Sequence, residues 1–325
     1  MAFVGDILPH SPLVARAQRN DQGFSPMFED ITPLIASADL AICHLETPIA
    51  PQGEALSTFP FFGVPATITR AIARAGFDRC STASNHTYDR GVKGIDETIN
   101  ALLANNVAQS GMARTPSEIE PQTFSVKGVT LSHLSYTFSY NGLSLPQDEE
   151  WRSALIDTDR ILRDARTARE LGAEAVIVSM HWGNEMSHQL NSQQISVADA
   201  LTKSGDVDLI IGHHAHVVQP IEKVNGVWVI YGMGNVLSNL PTDDRWPASS
   251  QDAGVFTITM SRDTAGRVSF DTPVVHPTWV DKQNGWIIRD ITTLLANKNN
   301  LGLNTRELEL SLERTTRVLG EFIAC

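Results

Sequence analysis

The sequence predicts an α/β protein built on a largely parallel sheet that becomes mixed at its edges. Short apolar, β-rich runs alternate with helical patterns along most of the 325 residues, the arrangement that crossover units require. Two turn signals, Lys127-Gly128 and Asn225-Gly226, break the alternation with hairpins. The residues that follow successive predicted strands are carboxylate, imidazole or amide, at the strand ends where open α/β sheets bind ligands. With 42% apolar and 19% charged residues, the composition is that of a globular chain long enough to bury a large core.

Taken in order, Phe3-Val4 opens the first strand almost at Met1, with no basic start and no apolar h-region before it, so no signal peptide is expected here. Buried strands are expected at residues 39–44, 77–83, 175–180 and 207–212. A Pro-rich stretch at 59–65 reads as a rim loop near the site. The clearest helix, 158–171, places Ile161, Leu162, Ala165, Ala168 and Leu171 on one face and meets Gly172 as a stop. Hairpins are expected at 124–135 and 217–231. From Asp281 onward the composition turns helical, and Asn304 with Glu307 resembles a capping box. Leu308, Leu312, Leu319, Phe322 and Ile323 form the apolar stripe of that last helix. The expected organisation is a domain over 1–280 with a helical extension, 281–325, packed on it; a dimer contact is the alternative role for the extension.

Cys43, Cys80 and Cys325 are spaced too irregularly for a disulfide framework or a CxxC metal site. Cys43 and Cys80 read as two small buried, reduced residues in neighbouring strands, with a bridge between them as the alternative. The 25 basic and 37 acidic residues give a net charge of −12 with no Lys/Arg cluster, which argues against nucleic acid or an anionic membrane as the main partner. The longest apolar runs, 175–180 and 227–231, fall far short of the roughly 20 residues of a transmembrane helix.

The chemistry sits after the strands. Gly5-Asp6 with His10 follows the first, Leu45-Glu46 the second, and Asn85-His86 with Asp89 the third. His181-Trp182-Gly183-Asn184-Glu185, His213-His214-Ala215-His216 and Gly234-Asn235 follow later ones. Six chain-distant segments thus converge on one sheet edge, a pattern suited to metal binding. Oxygen and nitrogen donors without thiolate suit one or two divalent ions, Mn, Fe or Zn. In an extended loop His214 and His216 project to one side and His213 points away. His86, beside the amide ligand Asn85, is placed as a general acid. No nucleophile elbow, P-loop or H-E-x-x-H pair occurs, and Gly232-Met233-Gly234 reads as a tight turn because Leu237 stands where a dinucleotide motif needs its third glycine.

Gly5-Asp6, Leu45-Glu46-Thr47-Pro48, the run from Ser84 to Gly91, His181-Trp182-Gly183, the run from Ile211 to Pro220 and Gly234-Asn235 resemble, in order, the bacterial capsule synthesis protein CapA (PgsA) family, which is linked to poly-γ-glutamate and related to calcineurin-like metallophosphoesterases. The resemblance implies a four-layer αββα sandwich of mixed sheets with a metal centre at the strand ends. It implies Asp6, Glu46, Asn85, His181, His214 and His216 as ligands and His86 as the imidazole that assists the leaving group. Metallophosphoesterases usually carry Asp-x-His in the first motif; here Ile7-Leu8 follow Asp6, leaving His10 as the substitute ligand, and Glu46 stands where an Asp usually bridges two metals. Asp89 and Glu185 join His86 as expected catalytic residues, with Arg90, Trp182 and Asn235 expected to bind substrate. The implied function is metal-dependent hydrolysis or transfer at γ-glutamyl amide bonds in poly-γ-glutamate capsule metabolism. Its alternatives are a phosphoesterase acting on a small phosphoester and a non-catalytic polymer-binding export subunit. Partners implied are a γ-glutamyl polymer and the membrane subunits of a capsule synthase, with an extracytoplasmic location expected and the cytoplasm as the alternative.

Overall fold

The computed structural model describes residues 1–243, 245–296 and 305–324. In chain order its strands are β1 (Ala2–Ile7), β2 (Ala41–Leu45), β3 (Arg79–Ser81), β4 (Ala108–Ser110), β5 (Thr123–Val126), β6 (Val129–Thr137), β7 (Ala175–His181) and β8 (Leu209–His213). They continue with β9 (Ile221–Val224), β10 (Val227–Ile230), β11 (Asp252–Thr257), β12 (Met260–Arg262), β13 (Val268–Phe270), β14 (Val274–Asp281) and β15 (Ile287–Asp290). One sheet has the order β15-β14-β11-β1-β2-β3-β4 and the other β5-β6-β7-β8-β10-β9. In each, a parallel block carries antiparallel strands at its flanks: β11, β14 and β15 beside β1 in the first, β5 and β9 in the second. Both hairpins form, and Asn225 and Gly226 take the positive φ values, 49° and 90°, of a type I′ turn.

Period-2 alternation sorts the residues into layers. In β2, Ala41, Cys43 and Leu45 pack outward under the helices, whereas Ile42 faces the second sheet. In β7, Val176, Val178 and Met180 pack outward and Ala175 and Ile177 inward. The inward residues of the two sheets form one core with Phe3, Leu131, Leu209 and Ile211. Helices Ser11–Gln18 and Thr67–Ala75 cover the first sheet, and Thr158–Glu170 and Ser192–Lys203 the second. This is the four-layer sandwich of mixed sheets.

The helix at Thr158–Glu170 starts on Asp157, whose side chain accepts the Arg160 N–H at 2.9 Å, and stops before Gly172 at φ 94°. Ile161, Ala165 and Ala168 are buried as expected, but Leu171 lies past the last turn and is 55% exposed. Two other readings need correction. Cys43 and Cys80 are in direct register on adjacent parallel strands, Cα atoms 4.4 Å apart, and are joined as a disulfide rather than reduced. The helical composition after Asp281 conceals β15, whose Ile287-Ile288 pairs with the end of β14 before the helix at Ile291–Ala296 begins. Asn304, the expected cap, lies outside the described residues; the helix Thr305–Leu319 is held by Ser311 and Arg314 on the buried Asp252 and by Leu308 against Trp279 and Ile291. Among the described residues no helix is long and apolar enough to cross a membrane.

Candidate metal centre

The inward face of each central strand ends in a polar residue, and that fixes the site. Continuing β2 past Ile42, the inward positions are His44 and Glu46; continuing β7 past Ile177, they are Ser179 and His181. β1 carries a register shift: Phe3 pairs with Ile42, but Asp6 pairs with His44, so Asp6 lies beside His44. Glycine at position 5 permits the bend, because a Cβ there would run into the carbonyl of Gly234, and the Asp6 N–H donates to that same carbonyl at 2.8 Å.

The ligand atoms of Asp6, Glu46 and His216 lie within 4.8 Å of one another, as do those of Glu46, His181 and His214, of Glu185, His214 and His216, and of Asp6, His44 and His181. All are buried except Glu185. Asp6 accepts the His214 backbone N–H at 3.1 Å and lies 3.2 Å from His216 Nδ1. Asn85 Oδ1 is 2.9 Å from His181 Nε2, which places this amide beside the cluster. Both Glu46 oxygens and His214 Nδ1 are buried without a hydrogen-bond partner.

Charge is unevenly distributed over these groups. Burial opposes ionisation of Asp6, yet the His213 and His216 rings, 3.5 and 3.2 Å away, outweigh it and hold the carboxyl well below its usual range. Burial, reinforced by Asp6, Glu185 and Asp89, pushes Glu46 well above its usual range despite His216. Burial also works against His216, but Glu46 and Asp6 raise it to about 10. Burial and neighbouring imidazoles lower His44 and His181, and burial with His216 lowers His214 to about 3. These three imidazoles thus stay neutral, and His214 Nδ1 and both Glu46 oxygens are left without a partner. Such orphaned buried atoms call for an explanation, and a divalent cation would supply one, because the donor set is all nitrogen and oxygen.

His86 lies beside this cluster and belongs to none of its donor groups. Its Nδ1 is 2.7 Å from Asp89 Oδ2, which also accepts the Phe62 N–H at 2.7 Å. Phe62, from the expected rim loop, packs edge-on against both His86 and His10, with centroids at 4.7 and 5.6 Å. His10 accepts the Asn239 N–H on Nδ1 at 3.2 Å and contributes to no donor group; burial and His216 lower it to about 4. Asn235 is buried, with Oδ1 2.8 Å from His216 Nδ1 and Nδ2 donating to the Ser250 carbonyl at 2.9 Å, so it fixes the His216 ring. Trp182 is fully buried in the outer core of the second sheet, donating to the Tyr231 carbonyl at 2.9 Å. Arg90 is engaged by Glu54, Ala55 and Ser57 of the rim.

His213 does not point away. It closes β8 on the inward face begun by Leu209 and Ile211, stacks on His44 at 4.0 Å and lies 3.5 Å from Asp6. The chain leaves extended geometry only afterwards, with His214 and His216 at φ 86° and 56°, and these left-handed residues bring both rings to the cluster. His44, with Nδ1 2.8 Å from Ser81 Oγ and Nε2 3.0 Å from His181 Nδ1, was not expected; its position two residues before Glu46 on β2 is the signal that marks it.

Two mixed sheets between helices, with carboxylate, imidazole and amide gathered at the strand ends, define the calcineurin-like phosphoesterase fold. The chain superposes on the calcineurin-like phosphoesterase YfkN from Bacillus subtilis with a TM-score of 0.51, 13% identity and coverage of 98% of this chain and 96% of that one. A putative 5′-nucleotidase from Staphylococcus aureus gives a TM-score of 0.52 at 15% identity, covering 96% of this chain and 57% of that one. The chain belongs to the family described as bacterial capsule synthesis protein PGA_cap, whose family model matches residues 1–240. It is 24% identical over 301 residues to the PGA biosynthesis protein CapA of Bacillus subtilis (strain 168), covering 90% of this chain and 77% of that protein. It is 24% identical over 262 residues to the capsule biosynthesis protein CapA of Bacillus anthracis, covering 78% of this chain but 62% of that protein.

Proposed function

We propose that this chain is a divalent-metal-dependent hydrolase of capsule polymer metabolism that acts at γ-glutamyl amide bonds. The observation that carries the reading is the buried, unpartnered Glu46 carboxylate amid Asp6, His181, His214 and His216, with the His86–Asp89 pair alongside but outside the donor groups. Asp6, Glu46, Asn85, His181, His214 and His216 would hold the metal, with His44 and Glu185 within reach. A bound divalent ion polarises a carbonyl and makes water nucleophilic near neutral pH. The chain's own part is positional. Asp89 Oδ2 accepts a hydrogen bond from His86 Nδ1, so the proton given to a departing amine would leave from Nε2 of the doubly protonated ring, which keeps its Nδ1 hydrogen on Asp89. The Phe62 N–H on Asp89 and the ring of Phe62 against His86 fix that pair and shield it from water.

The same arrangement serves phosphoester hydrolysis, and the fold favours it as the second reading. The Cys43–Cys80 disulfide supports an oxidising, extracytoplasmic compartment. The test is metal content per chain, followed by turnover of γ-glutamyl oligomers and a chromogenic phosphodiester in parallel. Release of glutamate or shorter oligomers by metal-loaded protein supports the proposal. Phosphodiester cleavage alone moves it to the second reading, and polymer binding without turnover of either leaves a binding subunit.

A further inference from the structure

Glutamates linked through their γ-carboxyls keep one free α-carboxylate per residue, so a protein that holds such a polymer must meet negative charge with positive. Here that is demanding, because the chain carries a net −12 and Glu46, Asp89 and Glu185 stand at or beside the cluster. Arg90 follows Asp89 but is already committed. Its Nη2 donates to Glu54 Oε2 at 2.9 Å and to the Ala55 carbonyl at 3.0 Å, and its Nη1 to Ser57 Oγ at 2.9 Å.

Lys282 is different. It follows β14, is half-buried, and donates from Nζ to the Leu240 carbonyl; among the described residues it forms no ion pair. The neighbouring Asp281 is spent on Arg289 at 3.0 Å and on Asn284 at 2.8 Å. An ammonium has three donors, and one carbonyl leaves the others and the whole charge unmatched in a partly desolvated position. The placement ties this group to the site. Leu240 follows Asn239, whose N–H donates to His10 Nδ1 at 3.2 Å and whose Oδ1 accepts the Trp286 indole at 2.7 Å. His10 in turn packs on Phe62, and Phe62 on His86. The Lys282 charge also reaches His10, where it helps disfavour protonation after burial and His216.

We infer that Lys282 is the anchor for a substrate α-carboxylate, holding one residue of a γ-linked polymer at the rim while a neighbouring amide lies at the cluster. This rests on the γ-glutamyl reading above and adds the group that sets affinity and register. Lys282 does not touch the reacting atoms.

The test is equilibrium binding of a short γ-linked glutamate oligomer, and of the same oligomer with its α-carboxylates amidated, to metal-loaded wild type, Lys282→Gln and Lys282→Arg at fixed low salt. Loss of one charge-assisted contact is expected to weaken the free-acid oligomer by about tenfold or more in Lys282→Gln, with Lys282→Arg close to wild type. The amidated oligomer is expected to bind wild type and Lys282→Gln alike. Equal affinity of wild type and Lys282→Gln for the free-acid oligomer overturns the anchor, as does an equal loss for both oligomers. Wild type that neither binds nor cleaves either oligomer removes the γ-glutamyl reading and the anchor together, a result distinct from binding that is indifferent to Lys282.

Discussion

Replacing Glu46 by Gln separates a metal ligand from a structural carboxylate, because the two roles predict opposite changes in stability. Both Glu46 oxygens are buried and unpartnered, and burial, reinforced by nearby carboxylates, raises its pKa above the ordinary 4.5. In metal-free protein the ionised form is therefore a cost that grows as pH rises above that value, and the isosteric Gln removes it. Metal-free Glu46→Gln should unfold at the same temperature as wild type or higher, with the gap widening from pH 5 to pH 8. With metal at ~1,000 times the wild-type Kd, binding adds about 4 kcal/mol. Loss of an anionic ligand at ~100-fold in affinity leaves about 1.4 kcal/mol of that. For 325 residues at ~2.1 cal/mol/K each, the unfolding entropy is about 0.7 kcal/mol/K. The metal-induced rise in Tm is then ~6 °C for wild type and ~2 °C for the variant. Differential scanning calorimetry with and without added Mn or Zn, paired with elemental analysis, reads both arms. A variant that is less stable without metal yet keeps the full metal-induced shift would refute the reasoning and make Glu46 a structural group.

His86→Ala should leave metal stoichiometry unchanged and lower turnover on γ-glutamyl oligomers by ~10²–10⁴, as loss of a general acid does; a parallel loss of bound metal would place His86 among the ligands instead. His216 has a folded-state pKa raised to about 10 from an ordinary 6.5, so its contribution is fully present below pH 6.5 and is lost as pH climbs towards 10. Denaturant titrations of metal-free protein at pH 6, 8 and 10 should show that decline in wild type and a flatter profile in His216→Ala. Asp252→Ala leaves Arg314 and Ser311 without their shared partner beneath the helix Thr305–Leu319. Because Arg314 is partly exposed, the cost is about 2 kcal/mol rather than the full penalty of a buried pair, and amide exchange should rise first in that helix.

The strand ends were legible because a parallel sheet needs buried, β-rich runs between helices, and each run here ends abruptly in a polar residue. Asp6, Glu46, Asn85, His181, His214 and His216 come together at those ends. Less legible was which side of each strand the polar residue leaves. Inward alternation from Ile177 through Ser179 gives His181, and the same alternation sends Met180 and Trp182 outward, so Trp182 packs against Tyr231 rather than facing substrate. Alternation from Leu209 and Ile211 likewise gives His213, which an extended-loop reading turned away. The bend at Gly5 is hidden from any such count, since it depends on the close approach of Gly234, 229 residues later, and it alone puts Asp6 opposite His44 rather than one position further. His44 was overlooked for a related reason: inside a predicted strand an imidazole reads as core, and only Ser81 on the adjacent β3 and His181 on β7 of the other sheet show what it faces. Local pattern therefore locates the layer in which chemistry collects, while register between strands decides which members of that layer meet.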